Sequence, residues 1–354
     1  MSMKNLLLKL YVLSAVIWLF TSCQQPDRYV VFSGYAQGGV WAVKANMKGV
    51  NVADDVVQAK IDSLLNCIDV SLSGYNKNSL LSKFNRGEAI IPDSLFMDIY
   101  ARAVEIYDTT DGCVDPASAP LYDAWGFGFK SGEMPSDEDV AMILSECGMR
   151  RLKRDLSGAV SQGGELDPKN LLVNPLAESL PQLNYNAIAQ GYSCDVVASY
   201  LYSIGVKDMM VDIGEIYCDG VNPAGKRWTI GIDSPVDGNN QPGENLQAVF
   251  SVPDGPHGVV TSGNYRKFYV KDDKKYAHTV DPRTGYPVSH TLLSATILAP
   301  DATLADAYAT YCMVVGLEES QEFITSHPEL EACLIYDNGG DFEIWTSPGF
   351  NIEK

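Results

Sequence analysis

Apolar residues recur at helical spacing in VADDVVQAKIDSLLNCIDVSLS (52–73), which predicts a helix broken by the turn-forming stretch GYNKNS. The same periodicity predicts helices over SLFMDIYARAVEIYDTT (94–110), GYSCDVVASYLYSIGV (191–206) and TLADAYATYCMVVG (303–316). The charged segment SGEMPSDEDVAMIL opens a further one. GGVWAVKANM (38–47) alternates as a first or edge strand does, and DMMVDIG, RWTIGID, LQAVFSV, GVVTSG, RKFYV and LLSATILA read as additional strands. ACLIYD and FEIWTS form a closing hairpin, while the Pro- and Gly-rich DGCVDPASAPLYDAWGFG (111–128) is expected to be irregular, as a packed loop or the wall of a site. Strands and helices mix without a regular β-α-β rhythm. That favours an α+β fold, with a mainly antiparallel sheet and packed helices, over a doubly wound one. No repeat or internal linker interrupts the chain, so one large domain is expected over 33–354.

The N-terminal pattern differs. Lys4 and Lys9 bracket a basic start, and LYVLSAVIWLF (10–20) is an apolar run of signal-peptide length, short for a membrane span. It ends in LFTSC, which resembles a bacterial lipobox. We read residues 1–22 as a lipoprotein signal peptide, Cys23 as the lipidated residue and 23–32 as a tether, in preference to an ordinary secretion signal or a membrane anchor. This reading places the protein in a bacterial cell envelope, lipid-anchored and facing the periplasm.

Composition narrows the partners. The formal charge is −19 over 354 residues, and no basic patch is visible, which argues against a nucleic-acid surface. An anionic small molecule would need backbone amides or a metal ion to offset the acidic field. The seven cysteines besides Cys23 include no CxxC pair, so neither a disulfide framework nor a zinc site is indicated.

Four segments carry candidate chemistry. Asp306 and Thr310 stand four apart on one face of a small-residue helix, offering two hard oxygen ligands to a cation such as Mg²⁺; a helix start with an acid at the positive dipole end reads equally. Thr261, Ser262 and Gly263 can present amides to a phosphate, or simply end a strand. NAIAQGYSCD (186–195) runs through small residues into a helix, where backbone can approach a ligand closely or pack on a strand. YAHTVDPRTGYPV (276–288) places His278 near Asp281, as a general base with its orienter or as a strand histidine capping a turn.

In order along the chain, LSGYNKNSLLSKFN, DPASAPLYDAWGFG, IAQGYSCD, VDIGEIYCDG, TSGNYRKF, HTVDPRTGYPV and LADAYATYCMVVG resemble the motifs of the ApbE-type FAD:protein FMN transferases. The resemblance implies a single ApbE-like (T-fold-like) domain that takes FAD as substrate with Mg²⁺. It implies cleavage of the pyrophosphate, release of AMP, and attachment of FMN as a phosphoester to a threonine of a partner protein. The acceptor would be a membrane redox-pump subunit or an exported flavoprotein. The motifs put metal ligands on the Asp306 and Thr310 side chains and the Ala187 main-chain carbonyl. They put flavin contacts at Gln37, Tyr75, Cys113, Val114, Asp115, Asn184 and Gln190, and phosphate contacts at Thr261, Ser262 and Gly263. His278 becomes the base for the incoming threonine, and Asp281 its orienter.

The chain departs from that pattern at three places. The family often has Asp where Asn184 stands, Lys where Gln190 stands, and Gly-Gly-Asp where GEI occupies 214–216. Loss of a lysine and of an aspartate compensate in charge, which suits a retuned site. Alternative readings are an FAD pyrophosphatase that releases FMN and AMP, and a non-catalytic FAD-binding lipoprotein.

Overall fold

The computed structural model describes residues 26–127, 134–236, 239, 243–264, 268–271, 274–277 and 279–353. Residues 1–22, read from the sequence as a signal peptide, and Cys23 and His278 lie outside the described residues. Strands β1 (Tyr29–Ala36) and β2 (Gly39–Asn46) form a hairpin, followed by helices α1 (Asp54–Leu72), α2 (Leu80–Asn85), α3 (Ser94–Thr109), α4 (Ala119–Ala124) and α5 (Asp137–Glu146). Helix α6 (Ala189–Ser203) leads into β3 (Met209–Asp212), β4 (Ile216–Asp219), β5 (Thr229–Asp233) and β6 (Leu246–Ser251). Then come β7 (His257–Gly263), β8 (Phe268–Lys271), β9 (Lys274–Ala277) and β10 (Leu292–Ala299). Helices α7 (Ala302–Val315) and α8 (Leu317–Ser326) precede β11 (Glu331–Asn338), β12 (Asp341–Thr346) and β13 (Ile352–Glu353).

Eight strands make one sheet in the order β1-β2-β3-β4-β7-β10-β11-β12, with every neighbouring pair antiparallel. The α+β expectation therefore stands. The pleat explains why LLSATILA is mostly apolar, with its two hydroxyl residues, Ser294 and Thr296, buried as well. Ala295, Ile297 and Ala299 enter the large core shared with the helices, while Leu298 joins a second core under the small sheet β13-β6-β5. A strand buried on both faces favours apolar residues at most positions.

Several local expectations change. GGVWAVKANM is the second strand, not the first or an edge. The edge is β1, which starts at Tyr29 inside the segment read as tether. Helices α2, α4 and α8 and strand β4 were not expected. Helix α4 lies within the stretch expected to be irregular. With α5 it builds a small third core of Leu121, Trp125, Val140 and Cys147 that also buries Val280. That core anchors the turn after His278 to the body of the protein.

Candidate active site

The site begins where α6 meets the start of α7. Gly191 permits the contact, because a Cβ there would lie 2.1 Å from the Ala302 carbonyl oxygen. Its backbone N–H donates to Asp306 Oδ2 at 3.1 Å. Gly191 is the third residue of α6, whose cap is Ile188, so its N–H has no carbonyl partner within the helix and takes the carboxylate instead. Among the described residues no hydrogen bond ends on the Ala187 carbonyl. A helix-end donor thus orients the carboxylate, and the Ala187 carbonyl, which lies before the cap, is left to accept a ligand.

Asp306 is 5% exposed and has no ion pair among the described residues. Burial raises its pKa, the Gly191 N–H opposes that, and the nearby Asp195 carboxylate adds to the rise. A buried, unpaired carboxylate favours a cation beside it. Thr310, one turn further along α7, and Ala187 both line the adjacent cleft. Carboxylate, hydroxyl and carbonyl form a hard-oxygen set that fits Mg²⁺. No group of three or more His, Cys, Asp or Glu side chains able to hold a metal occurs among the described residues. This set has only one carboxylate.

The cleft has a volume of about 360 Å³, and its wall includes Tyr75, Val114, Asp115, Asn184, Ala187, Ser262, Gly263 and Thr310. A second cleft of about 650 Å³ adjoins it, sharing Tyr75 and Asn186, and is lined by Gln37, Asp69, Tyr185 and Gln190 among others. Tyr75 stands at the junction, 72% exposed, with its hydroxyl 3.4 Å from Asn186 Nδ2. An exposed aromatic side chain at the junction of two clefts is of a kind that stacks on planar ligands. Ser262 and Gly263 belong to the end of β7 rather than to a turn. Among the described strands, β4 pairs with β7 only as far as Val259, so residues 260–263 have no strand partner on that edge. Their other edge is paired to β10.

Some expected contacts are not placed on the clefts. Cys113 is buried behind the wall, and burial pushes its thiol up to about 12; Val114 and Asp115 carry the contact instead. Thr261 shares its hydroxyl with Thr296 at 2.9 Å across the β7–β10 pair, because alternation sends neighbouring side chains to opposite faces. Asp281 accepts from the Arg283 backbone N–H at 2.9 Å and from its guanidinium at 3.0 and 3.1 Å. The carboxylate braces its own turn; its proposed partner His278 lies outside the described residues. Asp115 accepts from the N–H groups of Ala117 and Met149, while burial still pushes its pKa up to about 6. Gln190 Nε2 donates to the Ile213 carbonyl at 3.3 Å, folded over the Gly214 turn.

The sequence reading missed Asn186, Thr279, Met313 and Tyr122, which all line the first cleft. Asn186 and Thr279 stand beside assigned residues, so proximity was a usable signal. Asp195 was quoted in a motif but given no role, and nothing local reveals that its partners sit 107 and 108 residues away.

Comparison with known proteins extends this picture. The chain is 30% identical to the FAD:protein FMN transferase of Escherichia coli (strain K12), over 96% of this chain and 95% of that protein. Among solved structures it is similar to the flavin transferase ApbE from Vibrio cholerae (TM-score 0.74, 27% identity, covering 91% of this chain and 98% of that one). It is also similar to the apo form of the flavinyl transferase ApbE of Pseudomonas stutzeri (TM-score 0.76, 27% identity, covering 92% and 96%). The ApbE family model matches residues 38–334, which span the α6–α7 contact, both clefts and the 279–288 turn; the chain belongs to the ApbE family.

Proposed function

We propose that this protein is an Mg²⁺-dependent FAD:protein FMN transferase that attaches FMN through a phosphoester to a threonine of an acceptor protein and releases AMP. We further propose that it is lipid-anchored through Cys23 and faces the periplasm of a bacterial envelope. The activity named for the relatives supports the reading, and the composition of the clefts carries it physically. Among the described residues lining the two clefts there is no Lys, Arg or His, while Asp69 and Asp115 are present. A dinucleotide pyrophosphate could bind there only with a cation and backbone amides to meet its charge. Thr310 and Ala187 line the first cleft and Asp306 is buried one turn before Thr310 on α7; these oxygens supply the cation site, and the unpaired edge of β7 supplies amides.

Each residue then has a task. Tyr75 stacks on the flavin and holds it at the junction of the clefts. Bound Mg²⁺ would neutralise charge on the pyrophosphate as it breaks. Ser262 and Gly263 orient the phosphate. The acceptor threonine oxygen forms a bond to the FMN phosphorus as the phosphorus–oxygen bond to AMP breaks. AMP leaves with the electron pair, and His278 takes the hydroxyl proton.

Incubation of the protein with FAD, Mg²⁺ and a threonine-containing acceptor tests the reading. Mass spectrometry should find FMN on the threonine and an equal amount of AMP. AMP and FMN released without any acceptor label would replace the transferase with a pyrophosphatase, and intact bound FAD would reduce it to a carrier. His278→Ala should slow transfer by about 10²–10⁴-fold with FAD affinity little changed.

A further inference from the structure

The proposed cation ligands sit on α7 and just before the cap of α6, far apart in sequence, so their spacing depends on how α7 is seated against α6. Asp195 lies four residues after Gly191 in α6, on the same face. Its Oδ1 accepts the Ala302 N–H at 2.8 Å. Its Oδ2 accepts the Thr303 N–H at 2.9 Å and a short bond from the Thr303 hydroxyl. A carboxylate of one helix therefore grips the first turn of the other. With the Gly191 N–H bond to Asp306, two consecutive turns of α6 hold two consecutive turns of α7.

We propose that Asp195 is a positioning residue: it clamps α7 in the register that sets Asp306 and Thr310 opposite the free Ala187 carbonyl, and so determines cation affinity. This rests on the reading of that face as the Mg²⁺ site. Two observations separate the clamp from an ordinary helix cap. First, α7 already has its own cap, since the Asp301 side chain accepts the Leu304 N–H at 2.8 Å. Second, the additional carboxylate is held at a cost. Burial, and then the charge of Asp301, push Asp195 up to about 6, although the Thr303 and Ala302 donors oppose this. Arg102, 3.2 Å from Asp301, offsets only part of the local charge. A second acid retained beside a helix start that is already capped is explained by the fixed geometry it imposes.

Asp195→Asn keeps the volume and removes the charge together with one acceptor. Mn²⁺ binding followed by electron paramagnetic resonance should weaken by roughly 10–100-fold, the range typical of residues that orient metal ligands. The Mg²⁺ concentration for half-maximal transfer should rise in parallel, with the rate at saturating Mg²⁺ within about threefold of wild type, because the direct ligands and the base remain. A lower thermal midpoint with unchanged Mn²⁺ affinity in the folded variant would make Asp195 a structural cap and overturn the clamp. If Asp195→Asn does not fold, Thr303→Val removes a single grip and should weaken Mn²⁺ binding by roughly 2–10-fold. Unchanged affinity there overturns the clamp as well. Asp306→Ala is the control. If it too leaves Mn²⁺ binding unchanged, the metal reading fails and the clamp falls with it; if it abolishes binding while the other two do not weaken it, only the clamp fails.

Discussion

The α6–α7 seam and the 279–288 turn serve the same proposed reaction but are held by different physics. The seam is closed by contacts between residues more than a hundred positions apart, such as Gly191 with Asp306 and Asp195 with Ala302. It is packed so tightly that one added methyl group would meet a carbonyl oxygen. The turn is mostly self-contained. Asp281 binds Arg283 two residues on, and its backbone exchanges bonds with Gly285 and Tyr286. It then leans on the third core through Trp125, whose Nε1 donates to the Gly285 carbonyl at 2.7 Å. In the proposed reaction the seam would place the cation through long-range contacts between two helix ends, whereas the turn would place the base with local bonds. Damage to the packing of the seam should therefore affect folding and metal binding together, loss of its carboxylate ligand should affect metal binding without unfolding the protein, and damage to the turn should affect rate alone.

The largest expected effect tests the seam at its ligand. Asp306→Ala should lower transfer by about 10²–10³-fold or more through lost stabilisation of developing charge. The metal-free fold should persist, since a buried unpaired carboxylate has been removed. Calorimetric titration with Mg²⁺ and a melting curve check both parts; an unfolded variant would show the carboxylate to be structural. Gly191→Ala comes next. Pushing α7 away should cost about 1–3 kcal/mol of stability, and a displacement near 1 Å should cost about 10²-fold in rate. A variant with a normal melting curve and normal Mn²⁺ affinity would break the picture of a rigid seam.

The turn should respond more gently. Asp281→Asn should slow transfer by roughly 3–10-fold through a weaker charge-assisted bond, with the thermal midpoint lowered only slightly, because Arg283 is largely solvated and the amide oxygen can still accept its backbone N–H. A large loss of stability instead would remove the contrast between the two regions. The smallest effect concerns Asp115, away from both. Its folded pKa of about 6 lies above its ordinary 3.8, so the folded state holds the proton more tightly. Its contribution to stability is complete below about pH 4 and is lost as pH rises through about 6. Relative to Asp115→Asn, the wild-type thermal midpoint should fall by roughly 2–4 °C across that window. A constant difference between the two proteins would show that burial does not shift this carboxyl.

Much of the fold is legible where one physical pattern dominates. Helices α1, α3, α6 and α7 fall within a few residues of their expected positions because apolar periodicity decides them. Strand β1 escaped because Ser33 and Gly34 weaken its strand signature. Yet Gly34 is required there: it stands opposite Trp41, whose ring would meet a Cβ at 2.7 Å. That requirement belongs to the cross-strand partner and cannot be read from β1 itself. Helix α4 escaped because the irregular composition around it is balanced by packing against α5, which local propensity does not contain.

The sequence by itself determined the family resemblance, the acidic character that calls for a cation beside any phosphate ligand, and the Asp306–Thr310 pair, since four-residue spacing on a helix is a local property. Only the tertiary structure decided that Ala187 would have a carbonyl to offer. That carbonyl lies one residue before the cap of α6, where no turn of the helix reaches it. The Gly191 N–H, four residues on, is taken by a carboxylate 115 residues away. The same holds for Thr261 and Cys113, which the motifs marked as contacts and packing turned inward, towards Thr296 and the core. Residue type and spacing state which groups are available for chemistry, and long-range packing selects which of them reach the cleft.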